Sequence, residues 1–165
     1  MYLNAGCGNI RYPDTINMDT SDSEYTDVDV VGSILDIPFE DGHFDGVICN
    51  HVLEHLPVTL HANAVKEFHR VTKMGGHLYI AVPDFVQCMQ NYLDNYRGQK
   101  EYWYKTIYGR CLYEGDEHKA GIELSYLENL FFMFGYKNLK SEVTPKDTAC
   151  ISVLGEKGIP EVWEI

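Results

Sequence analysis

Apolar runs of strand length alternate with segments of helical spacing, and this rhythm constrains the fold more than any other feature of the chain. A strand, a crossover and a further strand in succession build a parallel sheet covered by helices. Tyr2 to Ala5 reads as a short strand running straight into Gly6-Cys7-Gly8, and Ile16 to Asp19, Val28 to Ile34 and Asp45 to Asn50 read as the next three. The stretch between Asp19 and Val28 is polar and acidic and reads as a loop. From Thr59 onward Leu60, Ala64, Phe68 and Val71 recur at helical spacing, and Gly75-Gly76 is expected to stop that helix in the left-handed conformation. His77 to Val82 follows as a strand, and Asp84 stands where it would cap a second helix carrying Val86, Met89, Leu93 and Tyr96. The section Glu101 to Gly121 mixes Tyr102, Trp103, Tyr104, Tyr108 and Tyr113 with charges and glycines, so an irregular aromatic insertion is expected. Ser125 and Glu128 have capping-box spacing ahead of Leu130, Phe131 and Phe134, with Gly135 as the C-cap. Tyr136 to Val143 and Ala149 to Leu154 then lie close enough to pair antiparallel, and Gly158 to Ile165 reads as a tail.

With 165 residues, the chain is one domain's worth, enough for a single core. It carries 13 Lys and Arg against 25 Asp and Glu, a formal charge of −12, so its mean field repels nucleic-acid phosphates and anionic lipid. No nucleic-acid or membrane partner is expected. No stretch approaches the roughly 18 apolar residues of a membrane span, and the N-terminus lacks the basic start and apolar run of a signal peptide, which makes a cytoplasmic protein the expectation. The five cysteines are an odd number, far apart and without a Cys-x-x-Cys pair, so neither a disulfide framework nor a thiolate zinc site is suggested.

Chemistry concentrates at strand ends. Gly6 and Gly8 let the backbone pass close to a ligand at the edge of a parallel sheet. Asp19, at the tip of the second strand, is placed to accept from ribose hydroxyls, and Asp36, after the third, can accept from an exocyclic amine such as that of adenine. Taken singly, the glycines serve equally well in a tight turn and each aspartate as a loop cap. Together they describe a nucleoside pocket. The dinucleotide fingerprint fails, because a third glycine would fall at Arg11 and Asp19 comes 13 positions after Gly6, against about 20 in that motif. A nicotinamide-dependent oxidoreductase is therefore disfavoured.

These residues, with Leu3-Asn4-Ala5-Gly6-Cys7-Gly8, Ile16-Asn17-Met18-Asp19, Asp36-Ile37-Pro38-Phe39, Phe44-Asp45-Gly46-Val47-Ile48, His51-Val52-Leu53-Glu54-His55-Leu56 and Gly75-Gly76-His77-Leu78-Tyr79-Ile80, resemble the class I S-adenosylmethionine-dependent methyltransferases, in particular the type 11 group. The resemblance implies a Rossmann-like α/β sandwich with a mostly parallel sheet and a terminal antiparallel hairpin, as one domain with a cofactor half over 1–84 and a substrate half over 85–165. It implies S-adenosylmethionine as cofactor, with Asn4, Gly6, Cys7 and Gly8 beside the methionine part, Asp19 on the ribose, Asp36 and Ile37 on the adenine, and Asn50 and His51 along the transfer side. The acceptor it implies is a small molecule or a glycan intermediate. A non-catalytic domain retaining the fold is the alternative.

The chain departs from that pattern in places. Asn4 stands where the family has an acid, and only Asn9 to Thr15 separate Gly8 from the second strand, too few for a first helix of about three turns. A loop is expected there, and since the chain begins at the first strand, so is the lack of a lid helix. The strands Val47-Ile48-Cys49 and Tyr79-Ile80-Ala81-Val82 are apolar without strict alternation, so neither sheet face is expected to stay wet. The candidate covers are the aromatic section Glu101 to Tyr113, the tail with Ile159, Val162, Trp163 and Ile165, and a second copy of the chain as a homodimer. His51 and His55 stand four apart around Glu54, yet a metal site needs a third ligand that the spacing does not place, and none is expected. Transfer from a sulfonium is an in-line displacement on an activated donor, so a base is needed only for a protonated acceptor; His55, His51 and His118 are the candidates.

Overall fold

The computed structural model describes residues 1–20, 27–112 and 115–159. Seven strands, β1 (Tyr2–Ala5), β2 (Thr15–Asp19), β3 (Val30–Val31), β4 (Phe44–Asn50), β5 (Thr72–Pro83), β6 (Tyr136–Val143) and β7 (Cys150–Lys157), form one sheet in the order β3-β2-β1-β4-β5-β7-β6. From β3 to β5 all pairings are parallel, and β7 runs antiparallel to both β5 and β6. This is the expected mostly parallel sheet closed by an antiparallel hairpin. The helices are α1 (Val58–Val71), α2 (Phe85–Leu93), α3 (Lys100–Tyr108) and α4 (Leu124–Met133). No helix of the described residues is long and apolar enough to cross a membrane.

Register decides which side chains share a face. Leu3, Val47, Leu78 and Gly155 align across four strands, as do Asn4, Ile48, Tyr79 and Leu154 one position on. The first row, with Ala5, Cys49, Ile80, Val82 and Val153, is sealed under α1 and α4. In α1, His61, Ala64, Val65, Phe68 and Val71 are buried at helical spacing, and the Phe131 ring of α4 lies against Gly155. The opposite face has no such cover: Ile48, Tyr79 and Leu154 are half-buried and Tyr2 lies exposed across Gly46. Burial therefore alternates along the end of β4 and over 76–80 of β5, whereas Ile80 to Pro83 are buried on both faces, so the expectation that both faces be dry holds at the end of β5 and is corrected for the rest. One physical reason is the missing first helix. A loop spans Gly6 to Asp14, as expected, and it lies flat on this face because Asn4 Nδ2 donates to the Ile10 carbonyl at 2.8 Å and Asn50 Nδ2 to Tyr12 OH at 3.3 Å.

Other expectations need correction. The third strand is two residues long, and Ile34 turns into the core. Gly75-Gly76 does not stop α1, which ends at Val71 with extended Thr72 as its cap. The pair sits inside β5, where Phe44 faces Thr72 but Gly46 faces His77, and Gly75 with φ of 75° carries the resulting bulge. Asp84 caps α2 by accepting from the Gln87 N–H, as expected. The first part of the aromatic section is the helix α3 and packs on α2, with Trp103 buried beside Cys88 and Ala149, so it does not cover the open face. The capping box does not form: Ser125 lies within α4, and Glu128 instead accepts from Ser141 Oγ at 2.6 Å. Of the tail, Ile159 is exposed, while Val162, Trp163 and Ile165, like Tyr113, lie outside the described residues. The buried end of β7 ties the layers together, since Lys157 Nζ donates to the carbonyls of His69 and Thr72 at the C-terminus of α1, at 2.6 and 2.7 Å.

Candidate active site

In a sheet of this order the neighbours of β1 are reached by connections running opposite ways, and the crevice outside the C-terminal ends of β1 and β4 is where such sheets take ligands. Gly6 to Gly8 leave β1 at that edge. The N–H groups of Gly6 and Cys7 both donate to the Met18 carbonyl of β2, at 2.8 and 3.0 Å. The Gly8 N–H donates to Asp19 Oδ2 at 2.8 Å and the Thr20 N–H to Asp19 Oδ1 at 2.7 Å. Oδ1 also accepts from Thr20 Oγ1 at 3.3 Å, so the Asp19 carboxylate is held at the tip of β2, half-buried, with a lone pair left on Oδ2. Gly6 has φ of 72°, and a Cβ there would stand 2.3 Å from Cγ2 of Val52. Its bareness accommodates this chain's own valine.

The other predicted cofactor residues are placed as follows. Asn4 is 2% exposed and also donates to Asn17 Oδ1 at 2.9 Å, which makes it a clamp between strand and loop. The Cys7 thiol is buried and pushed up to about 11 by burial and the nearby Asp19, so it stays protonated. Asp36 is exposed at a turn closed by its N–H on the Ser33 carbonyl. Ile37 points into the core, 2% exposed, and its N–H donates to Glu67 Oε2 at 3.0 Å. Asn50 and His51 end β4 beside the crevice, with His51 at φ of 56°.

Beyond β4 the chain makes a single turn, Leu53–His55, that buries Leu53 and Glu54 together. Glu54, 2% exposed, organises the three candidate histidines. Its Oε1 lies 3.2 Å from His51 Nδ1, and its backbone carbonyl accepts the N–H groups of Lys119 and Ala120 at 2.8 and 3.1 Å. Those bonds bring His118 to His55, whose rings meet edge to face at 4.8 Å. His51 Nε2 in turn stands 3.6 Å from Cys150 Sγ at the start of β7. The hydrogen bonds with Cys150 and Glu54 push the His51 ring up to about 10, whereas burial lowers the pKa of His118 and keeps it neutral. The Glu54 Oε2 atom has no hydrogen-bond partner among the described residues, a cost of about 1–3 kcal/mol for a buried polar atom. Sequence reading missed Glu54, although a carboxylate between two histidines in an otherwise apolar turn was a signal. Cys150, 99 residues from His51, left none.

His118 also stands in the wall of a cavity of about 400 Å³ between α2, α3 and the segment 118–121. Phe85, Met89, Leu93, Tyr104 and Ile107 line most of the rest. Two residues of the stripe expected along the second helix are here: Met89 and Leu93 are exposed and line this cavity, and the buried side of α2 is Cys88 and Asn91.

The chain matches a family described as "Methyltransferase domain" over residues 9–80, starting one residue past Gly8. No curated protein sequence matches significantly. Among solved structures, a methyltransferase from Thermotoga maritima described as a possible histamine N-methyltransferase superposes with a TM-score of 0.64 at 16% identity, over 95% of this chain and 82% of the other. One from Archaeoglobus fulgidus gives 0.68 at 14% identity, over 94% and 85%. The Burkholderia thailandensis 1,6-didemethyltoxoflavin-N1-methyltransferase, solved with its substrate and S-adenosylhomocysteine, gives 0.64 at 12% identity, over 94% and 70%. The fold is that of the class I methyltransferases.

Proposed function

We infer that this class I methyltransferase fold transfers a methyl group from S-adenosylmethionine to a small acceptor. The observation that carries the reading is the Asp19 carboxylate, fixed by two backbone N–H groups at the tip of β2 beside the β1–β4 crevice. The donor set fits the cofactor: Asp19 Oδ2 offers a lone pair to a ribose hydroxyl and exposed Asp36 can accept from an exocyclic amine, while Asn50 and His51 border the same edge. The cofactor would supply a methyl group already activated on a sulfonium. The protein's share is alignment, and well-oriented reactants alone can account for about 7–11 kcal/mol of a barrier.

Phe85, Met89, Leu93 and Tyr104 make the cavity a shelter for an apolar or aromatic body, which favours a small molecule of that kind over a glycan. The Burkholderia thailandensis structure, with 1,6-didemethyltoxoflavin bound, is in keeping with a small-molecule acceptor. At the cavity wall, neutral His118 carries one lone pair able to engage a proton or a cation of the site.

Calorimetry with S-adenosylmethionine, S-adenosylhomocysteine and NAD tests the reading. Binding of the first two and not the third is expected, and Asp19→Ala should weaken it by about 1.5–3 kcal/mol, the worth of hydrogen bonds to a charged group. Heat with NAD alone would overturn it. Tight binding with no methyl transfer to any compound in a metabolite extract would leave a non-catalytic binder.

A further inference from the structure

We propose that Glu54, His55 and His118 bind a divalent first-row transition metal, with zinc the ion best suited to the donors, and that this metal holds an oxygen or nitrogen donor of the acceptor at the cavity wall. The first part stands on this chain's own residues; the second rests on the methyl-transfer reading.

Three observations carry the site. One ligand atom from each of the three residues lies within 4.8 Å of the others. Bonds of about 2 Å in a tetrahedral zinc site put donors roughly 3.4 Å apart, so closure asks for about 1 Å of side-chain rotation. Second, the buried Oε2 of Glu54 has no partner among the described residues, while Oε1 is engaged by His51. A buried carboxylate oxygen left bare beside two imidazoles is a donor position awaiting a cation. Third, His55 is oriented as metal ligands are: its Nδ1 is 3.2 Å from the Glu117 carbonyl, which draws its proton there and leaves Nε2 as a lone pair, and the His118 ring meets it edge to face at 4.8 Å.

Two imidazoles and one carboxylate are the donors of catalytic rather than structural zinc sites, which keep a position for water or substrate. His118 belongs both to this cluster and to the lining of the apolar cavity, so that position borders the space where an acceptor would lie. The acceptor class that follows is an apolar or aromatic molecule carrying a metal-binding hydroxyl, carbonyl or ring nitrogen. His51 is a positioning residue, steering Glu54 through Oε1.

The test is titration of the full-length, chelator-treated protein with Co²⁺ and Zn²⁺. One Co²⁺ per chain is expected, with micromolar affinity or better and the visible bands of low-coordinate cobalt, displaced by Zn²⁺. His118→Ala and Glu54→Gln should abolish the bands, and His51→Ala should weaken binding by about 10–100-fold, as loss of an outer-shell partner does. Cys150→Ser should leave stoichiometry and spectrum unchanged. The wild-type titration requires no variant to fold, so absence of stoichiometric binding there overturns the site outright. Binding that survives His118→Ala, or that Cys150→Ser removes, would overturn this ligand set. Methyl transfer unaffected by the chelator in a protein that does bind Co²⁺ would overturn only the acceptor role, and metal binding with no methyl transfer at all would point back to the proposed function.

Discussion

Substituting Gly6 by alanine separates two reasons for a glycine at the end of β1. If the residue is bare because Val52 occupies the space, the cost appears in the free protein. An L-residue at φ of 72° costs about 1–2 kcal/mol, and the new Cβ, 2.3 Å from Val52 Cγ2 where about 3.5–4.0 Å is comfortable, adds about 1–3 kcal/mol of overpacking. Gly6→Ala should therefore lose about 2–5 kcal/mol. Val52→Ala alone removes two half-buried methyls, a loss of about 1–2 kcal/mol. In the double variant the two methyl clashes are removed and only the Cβ of residue 52, at 3.1 Å, still presses, so its loss should fall short of the sum of the single losses by about 1–3 kcal/mol. Equilibrium urea unfolding of all four proteins without ligand measures this coupling. Additive losses would refute the packing argument, and so would a Gly6→Ala protein that unfolds at the wild-type midpoint yet fails to bind S-adenosylmethionine. That last result would show the glycine kept bare for the ligand.

Two further outcomes follow from the scaffold. Lys157→Met leaves the His69 and Thr72 carbonyls without their buried ammonium partner and should cost about 2–4 kcal/mol by urea unfolding, from two hydrogen bonds to a charged group and two stranded acceptors; a loss within 0.5 kcal/mol, the scatter of ordinary surface changes at about that size, would count against it. Arg70 and the Ile37 N–H hold the Glu67 carboxyl below its usual range, so its contribution is complete above the unfolded value of about 4.3 and lost as pH falls through the lower folded value. Glu67→Gln should then destabilise the protein at neutral pH and make a shrinking difference as the pH falls below the unfolded value, as thermal melts across that range would reveal, and a deficit that is constant with pH would contradict the linkage.

Legibility in the sequence followed how local each cause is. Strand-length apolar runs, the Asp84 cap and the short Gly8-to-β2 connection each act within a few residues, and the sheet reproduces them. Gly75-Gly76 misled because a left-handed glycine serves a bulge as well as a helix end, and only pairing with β4 decides which. The Ser125–Glu128 pattern lost to a partner on another strand, Ser141. Met89 and Leu93 kept the helical period of a core stripe while facing a cavity, since periodicity reports a shared side of a helix and not what lies opposite it. The histidines were visible singly, but their convergence depends on the Glu54 carbonyl gripping Lys119 and Ala120 more than sixty residues away.

The layer of α2 and α3 has a small core of its own around Cys88, Trp103 and Ala149, separate from the large one under α1 and α4. It is joined to the rest at the Asp84–Phe85 junction, where backbone bonds reach Ala149 and Ile122, and at the β6–β7 connection, where Asn91 Nδ2 donates to the Lys146 carbonyl and Arg97 pairs with Asp147. A unit with few buried apolar contacts opens at lower free energy than the sheet it leans on, so its amides exchange with solvent first. Because its residues wall the cavity, the doorway for an acceptor is timed by this unit's own opening equilibrium. The strand tips that would carry the nucleoside belong to the sheet and would stay closed through such an opening.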